Sequence, residues 1–280
     1  MTRRWLILPL VLLLGACSSG PQDKMNEQSE QELYNEAREA LDRDSNIVAI
    51  DKLKALESRY PFGQFAEQAQ LELIYAYFNT SDLESALTAA ERFIRLHPLH
   101  PQVDYAYYLR GLITYEMGFS MIERRFSDDV AKRDPKPLRD AFRYFSDLLT
   151  RFPDSQYVAD ARARMVFLRE RLASHELGVA RYYMKRHAFV AAANRGNLIV
   201  NQYPRTSSVA DALALMIEAY EELDLESEAQ QTLALLQKNF PEHPQLQSGK
   251  FESSRLADTD RRGLLEILTF GIYDSSDEDE

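Results

Sequence analysis

Five prolines in this chain each follow a similar stretch of residues. The five prolines are 37, 55, 51 and 37 residues apart, and each follows an aromatic or histidine residue. Periods of this size are typical of helical repeat proteins, in which a helix pair is the repeating unit. Proline stops a helix because it lacks an N–H and disfavours the helical region for the residue before it. The prolines are Pro61, Pro98, Pro153, Pro204 and Pro241.

Apolar residues recur at fixed distances from each proline. Alanine lies twelve residues before every one of them, and a large apolar residue lies five before. Alanine also lies eight residues after each of the first four prolines, where a second helix is expected to pack closely on a neighbour. Helix, turn, helix and proline is the tetratricopeptide plan, with a usual period of about 34 residues. The alternative is an unrelated helical bundle, which gives no reason for one alanine offset in five segments.

We therefore predict an all-α fold, a tetratricopeptide superhelical solenoid of five helix-turn-helix repeats. No segment shows the alternation and β-branched enrichment of strands. The solenoid is expected over residues 30–250, because each repeat needs to pack only on its neighbours. The predicted repeats are residues 30–61, 62–98, 99–153, 154–204 and 205–241.

The two longer spacings predict where the array departs from regularity. Residues 122–137 are rich in charge and contain two prolines, so we expect a loop between the helices of repeat three. Residues 156–186 contain no helix breaker, so repeat four is expected to have one long helix. The run Ser81-Asp82-Leu83-Glu84 has the pattern of a capping box before the second helix of repeat two.

Residues 1–16 have the pattern of a secretory signal peptide. Arg3 and Arg4 precede an apolar stretch of about ten residues, which then gives way to small residues. That stretch is too short to remain as a membrane-spanning helix. The run Leu14-Gly15-Ala16-Cys17 resembles the bacterial lipobox, in which the cysteine becomes the lipidated first residue of the mature chain. The alternative is an incidental cysteine beside an ordinary cleavage site.

Cys17 is therefore the predicted lipid attachment residue. A thiolate is a suitable nucleophile for accepting diacylglycerol, and several acyl chains give stable anchoring where one does not. Residues 17–29 are expected to form a lipidated flexible tether. Ser18, rather than aspartate, indicates sorting to the outer membrane, so we expect the protein at its periplasmic face in a Gram-negative bacterium.

Residues 251–280 are predicted to be a C-terminal extension with a disordered acidic tail. Its last seven residues include five Asp or Glu. Residues 264–270 are apolar and are expected to form a capping helix, with a docking segment as the alternative. The chain has a formal net charge of −11, which becomes −13 without Arg3 and Arg4. An acidic chain of this kind does not favour nucleic-acid binding.

The sequence contains no recognisable catalytic constellation. There is no G-x-S-x-G, no H-E-x-x-H, no phosphate-binding glycine loop and no paired CxxC. His97 and His100 are three residues apart, but His97 occupies the aromatic position before a proline and a metal site needs further ligands. We predict a protein that is not an enzyme and uses no cofactor or metal.

Tyrosines on the first helices of the repeats are the candidate peptide-binding residues. Tyr75 and Tyr77 lie on the first helix of repeat two, and Tyr107 lies on that of repeat three. First helices line the concave face of tetratricopeptide solenoids, where tyrosine can hold an extended apolar peptide. Arg92 and Arg95 are candidates for binding a peptide carboxylate. The alternatives are core packing for the tyrosines and a solvated face for the arginines.

Several segments resemble the BamD (ComL) family of bacterial lipoproteins. The first of them is Arg59-Tyr60-Pro61-Phe62-Gly63, and the resemblance extends from the lipobox to about Pro241. The residues after Lys250 depart from the family pattern. The other segments are residues 73–77, 92–98, 104–111, 153–157 and 166–168.

The resemblance implies a non-enzymatic scaffold subunit of the β-barrel assembly (BAM) complex in the outer membrane. In this family the N-terminal repeats receive the C-terminal targeting strand of unfolded outer membrane β-barrel proteins. The C-terminal repeats dock on the POTRA domains of BamA, and the lipoprotein BamC lies along the surface. An arginine of an Asn-Arg pair in repeat four contacts the POTRA side, which corresponds here to Arg195. The alternative is another periplasmic tetratricopeptide lipoprotein that organises cell-wall or division factors.

Overall fold

The computed structural model describes residues 28–123, 134–248 and 250–254. These residues form ten α-helices and one short 3-10 helix and contain no β-strand, which confirms the all-α helical-repeat fold. Two helices precede each of the five prolines. The helices are α1 (Glu30–Asp42), α2 (Asn46–Arg59), α3 (Ala66–Asn79), α4 (Leu83–Leu96), α5 (Val103–Glu123), α6 (Lys136–Arg151), α7 (Val158–Lys185), α8 (Phe189–Gln202), α9 (Ser208–Glu221) and α10 (Glu226–Asn239).

The five prolines stand in five equivalent connectors. At the first of them, the Tyr60 N–H donates to the Leu56 carbonyl (2.8 Å) and closes α2 one residue before the proline. The Gly63 N–H then donates to the Tyr60 carbonyl (3.0 Å), and the Ala66 N–H donates to the Gly63 carbonyl (3.3 Å). The same three bonds recur at the other four prolines. The proline therefore ends each second helix as predicted, and two successive turns lead away from it.

The recurring apolar positions form the core. The alanine twelve residues before the proline is at most 4% exposed in every repeat, and the large residue five before it is fully buried. The alanines eight residues after the first four prolines are buried as well. Close approach of the helices is visible at Gly196 on α8, where an added Cβ would lie 2.4 Å from the Met216 Cγ of α9. Small residues at these positions allow neighbouring helices to pack closely.

The turn inside four of the five repeats has a feature that the sequence analysis missed. The residue seventeen before the proline has a positive φ of 55–60° in repeats one, two, four and five. Its N–H and that of the next residue bond back to the end of the first helix, which is the Schellman pattern. The four residues are Asp44, Ser81, His187 and Asp224, none of them glycine.

This turn corrects the predicted capping box at Ser81–Glu84. Ser81 occupies the left-handed position, and the N-cap of α4 is Asp82, whose side chain accepts from the Ser85 N–H at 3.2 Å. A complete capping box is instead present at the start of α1, where Ser29 and Glu32 exchange hydrogen bonds. The prediction was wrong by one residue because a serine in the left-handed conformation precedes the cap.

Two first helices are capped by a carboxylate from the preceding repeat. Glu30 of α1 accepts from the Phe65 N–H at 2.7 Å, at the start of α3. Glu170 of α7 accepts from the Ser207 N–H and hydroxyl at 3.0–3.2 Å, at the start of α9. These carboxylates satisfy N–H groups that have no partner inside the helix, and they complement the helix dipole.

Repeats three and four depart from the array roughly as predicted. The expected loop over 122–137 begins later, because α5 continues to Glu123, and residues 124–133 lie outside the described residues. Pro137 lies in the first turn of α6, where its missing N–H costs no helical hydrogen bond. The long helix of repeat four is confirmed as α7, with 28 residues.

The core beyond the last repeat is covered by residues 244–254. After Pro241 the connector leads into a 3-10 turn, Pro244–Leu246, and Leu246 and Phe251 pack on the core beside α9. Glu218 of α9 is 4% exposed and accepts from the Gln245 amide (2.7 Å) and from the Ser254 N–H (2.6 Å) and hydroxyl (2.9 Å). This segment therefore caps the final helix pair. The capping helix predicted over 264–270 lies outside the described residues.

The chain divides into two compact units, residues 1–109 and residues 110–280. The first contains α1 to α4 and the beginning of α5, and the second contains the rest of α5 and α6 to α10. Among the described residues, no helix combines the length and apolarity that a bilayer crossing requires.

Candidate functional site

An open groove of 470 Å³ lies on the first unit. Its walls come from the second helices of repeats one and two, α2 and α4, and its floor comes from α3. Of this site only Tyr77 and Arg92 were predicted, because the tyrosine candidates lie on first helices and most of the lining lies on second helices. The lining residues are Lys54, Glu57, Leu73, Tyr77, Glu84, Ser85, Thr88, Ala89 and Arg92.

Small side chains on one face of α4 make room for the groove. Ser85, Thr88 and Ala89 are three and four residues apart, so they share the face of α4 that turns toward α2. The Thr88 hydroxyl donates to the Glu84 carbonyl at 2.9 Å, so it is bonded within its own helix. The spacing of these small residues was the sequence signal that could have located the groove.

The groove has an apolar floor and a charged rim. Leu73 is 3% exposed, and Tyr77 packs beside it on the core of the first unit. Arg92 of α4 forms an ion pair with Glu57 of α2 across the groove. Such an arrangement can bury apolar side chains of an extended segment while its ends meet charges of both signs.

The structure brings together only two of the predicted peptide-binding residues. Tyr77 and Arg92 both line the groove, and Arg92 is held by its ion pair. Tyr75 is 40% exposed and lies outside the groove lining, because it is two residues from Tyr77 on the same helix. Arg95 is exposed and Tyr107 is half-buried, and neither lines the groove.

A polar network links the first helices of repeats one and two. Glu72 of α3 is 7% exposed, and its Oε1 accepts from the Tyr34 hydroxyl (3.0 Å), from Arg38 Nη1 (3.0 Å) and from Gln68 Nε2 (3.1 Å). Burial raises the pKa of Tyr34 to about 12, and the charge of Glu72 adds to the shift. The hydrogen bond to Glu72 also raises the pKa of Arg38. Sequence periodicity gave no signal for this network, because its members are 34 and 38 residues apart.

Arg195, the predicted partner-binding residue, is held by a buried carboxylate. Its Nη1 lies 2.6 Å from Oε2 of Glu176, which α7 contributes and whose side chain is 8% exposed. The Arg195 side chain itself is 38% exposed, so part of the guanidinium faces solvent. Arg195 therefore neutralises a buried charge and is still partly open to solvent.

A partly exposed aromatic cluster lies on the second unit. Tyr115 and Phe119 of α5 have ring centroids 4.6 Å apart, and Phe119 lies 5.5 Å from Phe167 of α7. Phe167 is 41% exposed, and the Arg164 guanidinium lies 5.0 Å from the centre of the Tyr115 ring. All of these residues lie on first helices, where tyrosines were expected to bind peptide, but the members differ from those predicted.

The histidines of the second connector have protein partners. His97 Nε2 lies 3.0 Å from Gln70 Oε1, and its Nδ1 lies 3.3 Å from the Glu67 carboxylate. His100 Nε2 also approaches Glu67, at 3.8 Å, and both rings pack on Phe93. Within the described part of the chain, no group of three or more His, Cys, Asp or Glu residues is arranged to hold a metal ion. Cys17 lies outside the described residues.

Comparison with known proteins identifies the family. The family model YfiO, described as outer membrane lipoprotein, matches residues 26–246. An outer membrane protein assembly factor BamD of Neisseria gonorrhoeae is 43% identical over 249 residues, which cover 87% of this chain and 93% of the relative. The BamD of Vibrio cholerae is 42% identical over 233 residues, 83% of this chain and 96% of the relative.

A more distant relative gives the same result. The BamD of Xylella fastidiosa strain 9a5c is 33% identical over 241 residues, 86% of this chain and 82% of the relative. The matched region runs from just before α1 to the end of the 3-10 turn at Leu246, so it includes all ten helices. The chain belongs to the YfiO family of outer membrane lipoproteins, the family of the BamD assembly factors.

Proposed function

We propose that this protein is a non-enzymatic factor in the assembly of outer membrane proteins, kept at the periplasmic face of the outer membrane by lipid on Cys17. The observation that carries the proposal is the similarity to BamD assembly factors along the whole helical array. The groove on the first unit supports a binding role, because its apolar floor and charged rim suit an extended segment.

The occupant proposed for the groove is the C-terminal targeting strand of an unfolded outer membrane β-barrel protein. Such a strand alternates apolar and polar side chains, so one face can meet Leu73 and Tyr77 while the other stays in water. Arg92 is placed to bind the terminal carboxylate if Glu57 yields its ion pair. Tyr75, Tyr107 and Arg95 remain candidates for contacts outside the groove.

A substitution that fills the groove tests this assignment. Thr88→Phe places a ring among the lining residues, so we expect at least about tenfold weaker binding of a synthetic peptide that ends in phenylalanine. Fluorescence anisotropy of the labelled peptide gives the Kd. The matched control is Thr150→Phe, because Thr150 is also exposed on a second helix and also donates to the carbonyl four residues back. If the folded Thr88→Phe variant binds the peptide with unchanged affinity, the groove is not the peptide site.

We further propose that the second unit docks on the POTRA domains of a BamA-like barrel protein and that Arg195 contributes to the contact. A simple Arg195→Ala variant is a poor test, because it leaves the carboxylate of Glu176 buried without its cation. The pair Arg195→Gln with Glu176→Gln removes both charges together. We expect this pair to keep its helical circular dichroism and to lose retention of purified POTRA domains.

The wider complex is tested by isolation from the membrane. The lipidated protein purified from detergent-solubilised outer membranes is expected to retain a POTRA-bearing barrel protein and a BamC-like lipoprotein. Recovery of cell-wall or division enzymes in their place would contradict the proposal.

The lipid anchor has a test of its own. Residues 1–16 are proposed to be removed as a signal peptide, and residues 17–29 to act as the tether. Cys17→Ala is therefore expected to abolish incorporation of labelled fatty acid while leaving the helical fold unchanged. Equal labelling of the variant would refute the assignment of Cys17.

A further inference from the structure

Three apolar side chains project into solvent at the connectors of the first unit. Phe62, directly after the first proline, is 100% exposed, and Leu99, directly after the second proline, is 94% exposed. Leu96, at the end of α4, is 56% exposed. The equivalent residues after the other three prolines are charged, namely Asp154, Arg205 and Glu242. The connector fold therefore does not require an apolar residue at this position.

The first two connectors lie side by side. Glu67, in the first turn of α3 just after the first connector, approaches both His97 and His100 of the second connector. Gln70, one turn further along α3, is bonded to His97. The exposed side chains of the two connectors thus belong to one edge of the unit, which we call the connector edge and define as Phe62, Leu96 and Leu99.

The N-terminal segment leaves the described structure beside this edge. The Tyr60 hydroxyl donates to the Gln28 carbonyl at 3.0 Å, two residues from Phe62 in the chain. The Glu30 carboxylate lies over Gly63, where an added Cβ would be 2.1 Å from its Oε1. Ten residues, 18–27, separate Cys17 from Gln28. Fully extended, they span at most about 40 Å, so a lipid on Cys17 holds this edge close to the bilayer.

We propose that the connector edge rests on the lipid surface, with Phe62 and Leu99 inserted at the boundary between headgroups and acyl chains. This inference rests on the proposed lipid anchor, which supplies the local concentration that two or three side chains could not supply alone. Arg95, exposed one residue before Leu96, is placed to meet anionic headgroups. The contact fixes the orientation of the first unit relative to the bilayer, which attachment through Cys17 alone does not.

Tryptophan fluorescence tests the contact directly. Trp5 is the only tryptophan of the chain and lies in the predicted signal peptide, so a substituted tryptophan reports alone in the mature protein. The lipidated Phe62→Trp and Leu99→Trp variants are reconstituted into vesicles of phosphatidylethanolamine and phosphatidylglycerol with brominated acyl chains. The matched control is Arg205→Trp, which stands at the equivalent position of the fourth connector.

We expect blue-shifted emission and quenching by bromine for Phe62→Trp and Leu99→Trp and neither effect for Arg205→Trp. Emission of Phe62→Trp identical to that of Arg205→Trp would overturn the proposal, even if the protein is lipidated. Blue shift without bromine quenching, seen only when other outer membrane proteins are present, would overturn it in favour of a protein partner.

Fatty-acid labelling of the same preparation separates the two proposals. If the protein is labelled but its Phe62→Trp emission is not quenched, the anchor is supported and the membrane contact is refuted. An unlabelled protein removes the anchor, and quenching of Phe62→Trp in that preparation would still support the membrane contact. The Phe62→Ser variant with Leu99→Ser is expected to keep its anchor and its circular dichroism but to lose protection of the connector edge from proteases on vesicles.

Discussion

At the scale of single residues, substitution is most tightly restricted where a buried charge has one ionic partner or where a ring leaves no space for a Cβ. Glu72 and Glu176 are buried carboxylates on first helices, and each is bonded to an arginine that is partly exposed. Gly111 of α5 lies directly under the ring of Phe145, which is fully buried. Charges and packing at these points determine the stability of the units that carry the surface sites.

Gly111→Ala is expected to destabilise the protein although alanine favours helix. The added Cβ would lie 2.6 Å from two ring carbons of Phe145, and a buried ring cannot move aside freely. We expect the free energy of unfolding to fall by roughly 1–2 kcal/mol, because overpacking exceeds the helix-propensity gain. Urea unfolding measures the change. In a Phe145→Leu background the cost should shrink, and an equal cost in both backgrounds would contradict the steric account.

The Tyr34 hydroxyl predicts a pH dependence of stability. Its pKa is raised to about 12 in the folded protein, so the folded state holds this proton more tightly than the unfolded state does. The contribution is complete below about pH 10, the ordinary value, and is lost as the pH rises to about 12. Tyr34→Phe keeps the stacking on Phe65 and should flatten the decline in stability between these values. Equal slopes for the two proteins in urea unfolding would contradict the assignment.

At the scale of elements, the unit of construction is a helix pair with two kinds of turn. The turn between repeats carries the proline, and the four described turns within repeats carry a left-handed residue other than glycine. Asp, Ser and His tolerate that conformation at a cost, since their Cβ approaches the following carbonyl oxygen. The first turn was predicted because proline has only one effect there, which is to end the helix. The second turn was missed because Asp and Ser occur in several kinds of local structure.

Glycine at a left-handed turn position should stabilise the fold. Asp224 has a φ of 56° and is exposed at the turn between α9 and α10. Asp224→Gly is therefore expected to raise the free energy of unfolding by about 0.5–1 kcal/mol. Glu222, two residues earlier, has a φ of −67°, and Glu222→Gly is the control that should lower it. A decrease for Asp224→Gly in thermal unfolding would contradict the strain argument.

At the scale of the whole molecule, a repeat array needs a cover at each exposed end, and residues 244–254 supply one beside α9. Residues 244–254 follow the last connector and hold to α9 through Glu218. This segment repeats the two successive turns that follow the other four prolines, and the second of these turns is the 3-10 turn Pro244–Leu246. Pro244 and the buried acceptor Glu218 thus hold the segment that covers the core at the end of the array.

Removal of the Glu218 carboxylate should release this cover. Glu218→Ala deprives the Ser254 N–H and hydroxyl of their acceptor and leaves the Gln245 amide with only the Glu252 carbonyl, so we expect the free energy of unfolding to fall by roughly 1–3 kcal/mol. Trypsin should then cleave after Lys250 faster than in the unsubstituted protein, as followed by mass spectrometry. The control is Glu221→Ala, three residues further along α9. Equal cleavage rates in both variants would show that Glu218 does not hold the segment.

The sequence by itself determined the repeat. Backbone sterics explain why the prolines end helices. Helix periodicity over a few turns explains the buried alanines twelve residues before them and the long helix of repeat four. Because those rules are local, they predicted helix ends to within a residue or two, and the segments of family resemblance were visible in the same way.

Only the tertiary structure decided which side chains share a surface. Tyr77 and Arg92 line one groove, whereas Tyr75 and Arg95, a few residues away, lie outside its lining. The acceptors of Arg38 and Arg195 come from other helices, and Phe62 is exposed beside the start of α1. The physical reason is that packing between helices sets these neighbours, through small differences in side-chain volume and rotation about each helix axis. A pattern shared by all repeats contains no information on such differences, so it predicts the helix array but not the binding surfaces.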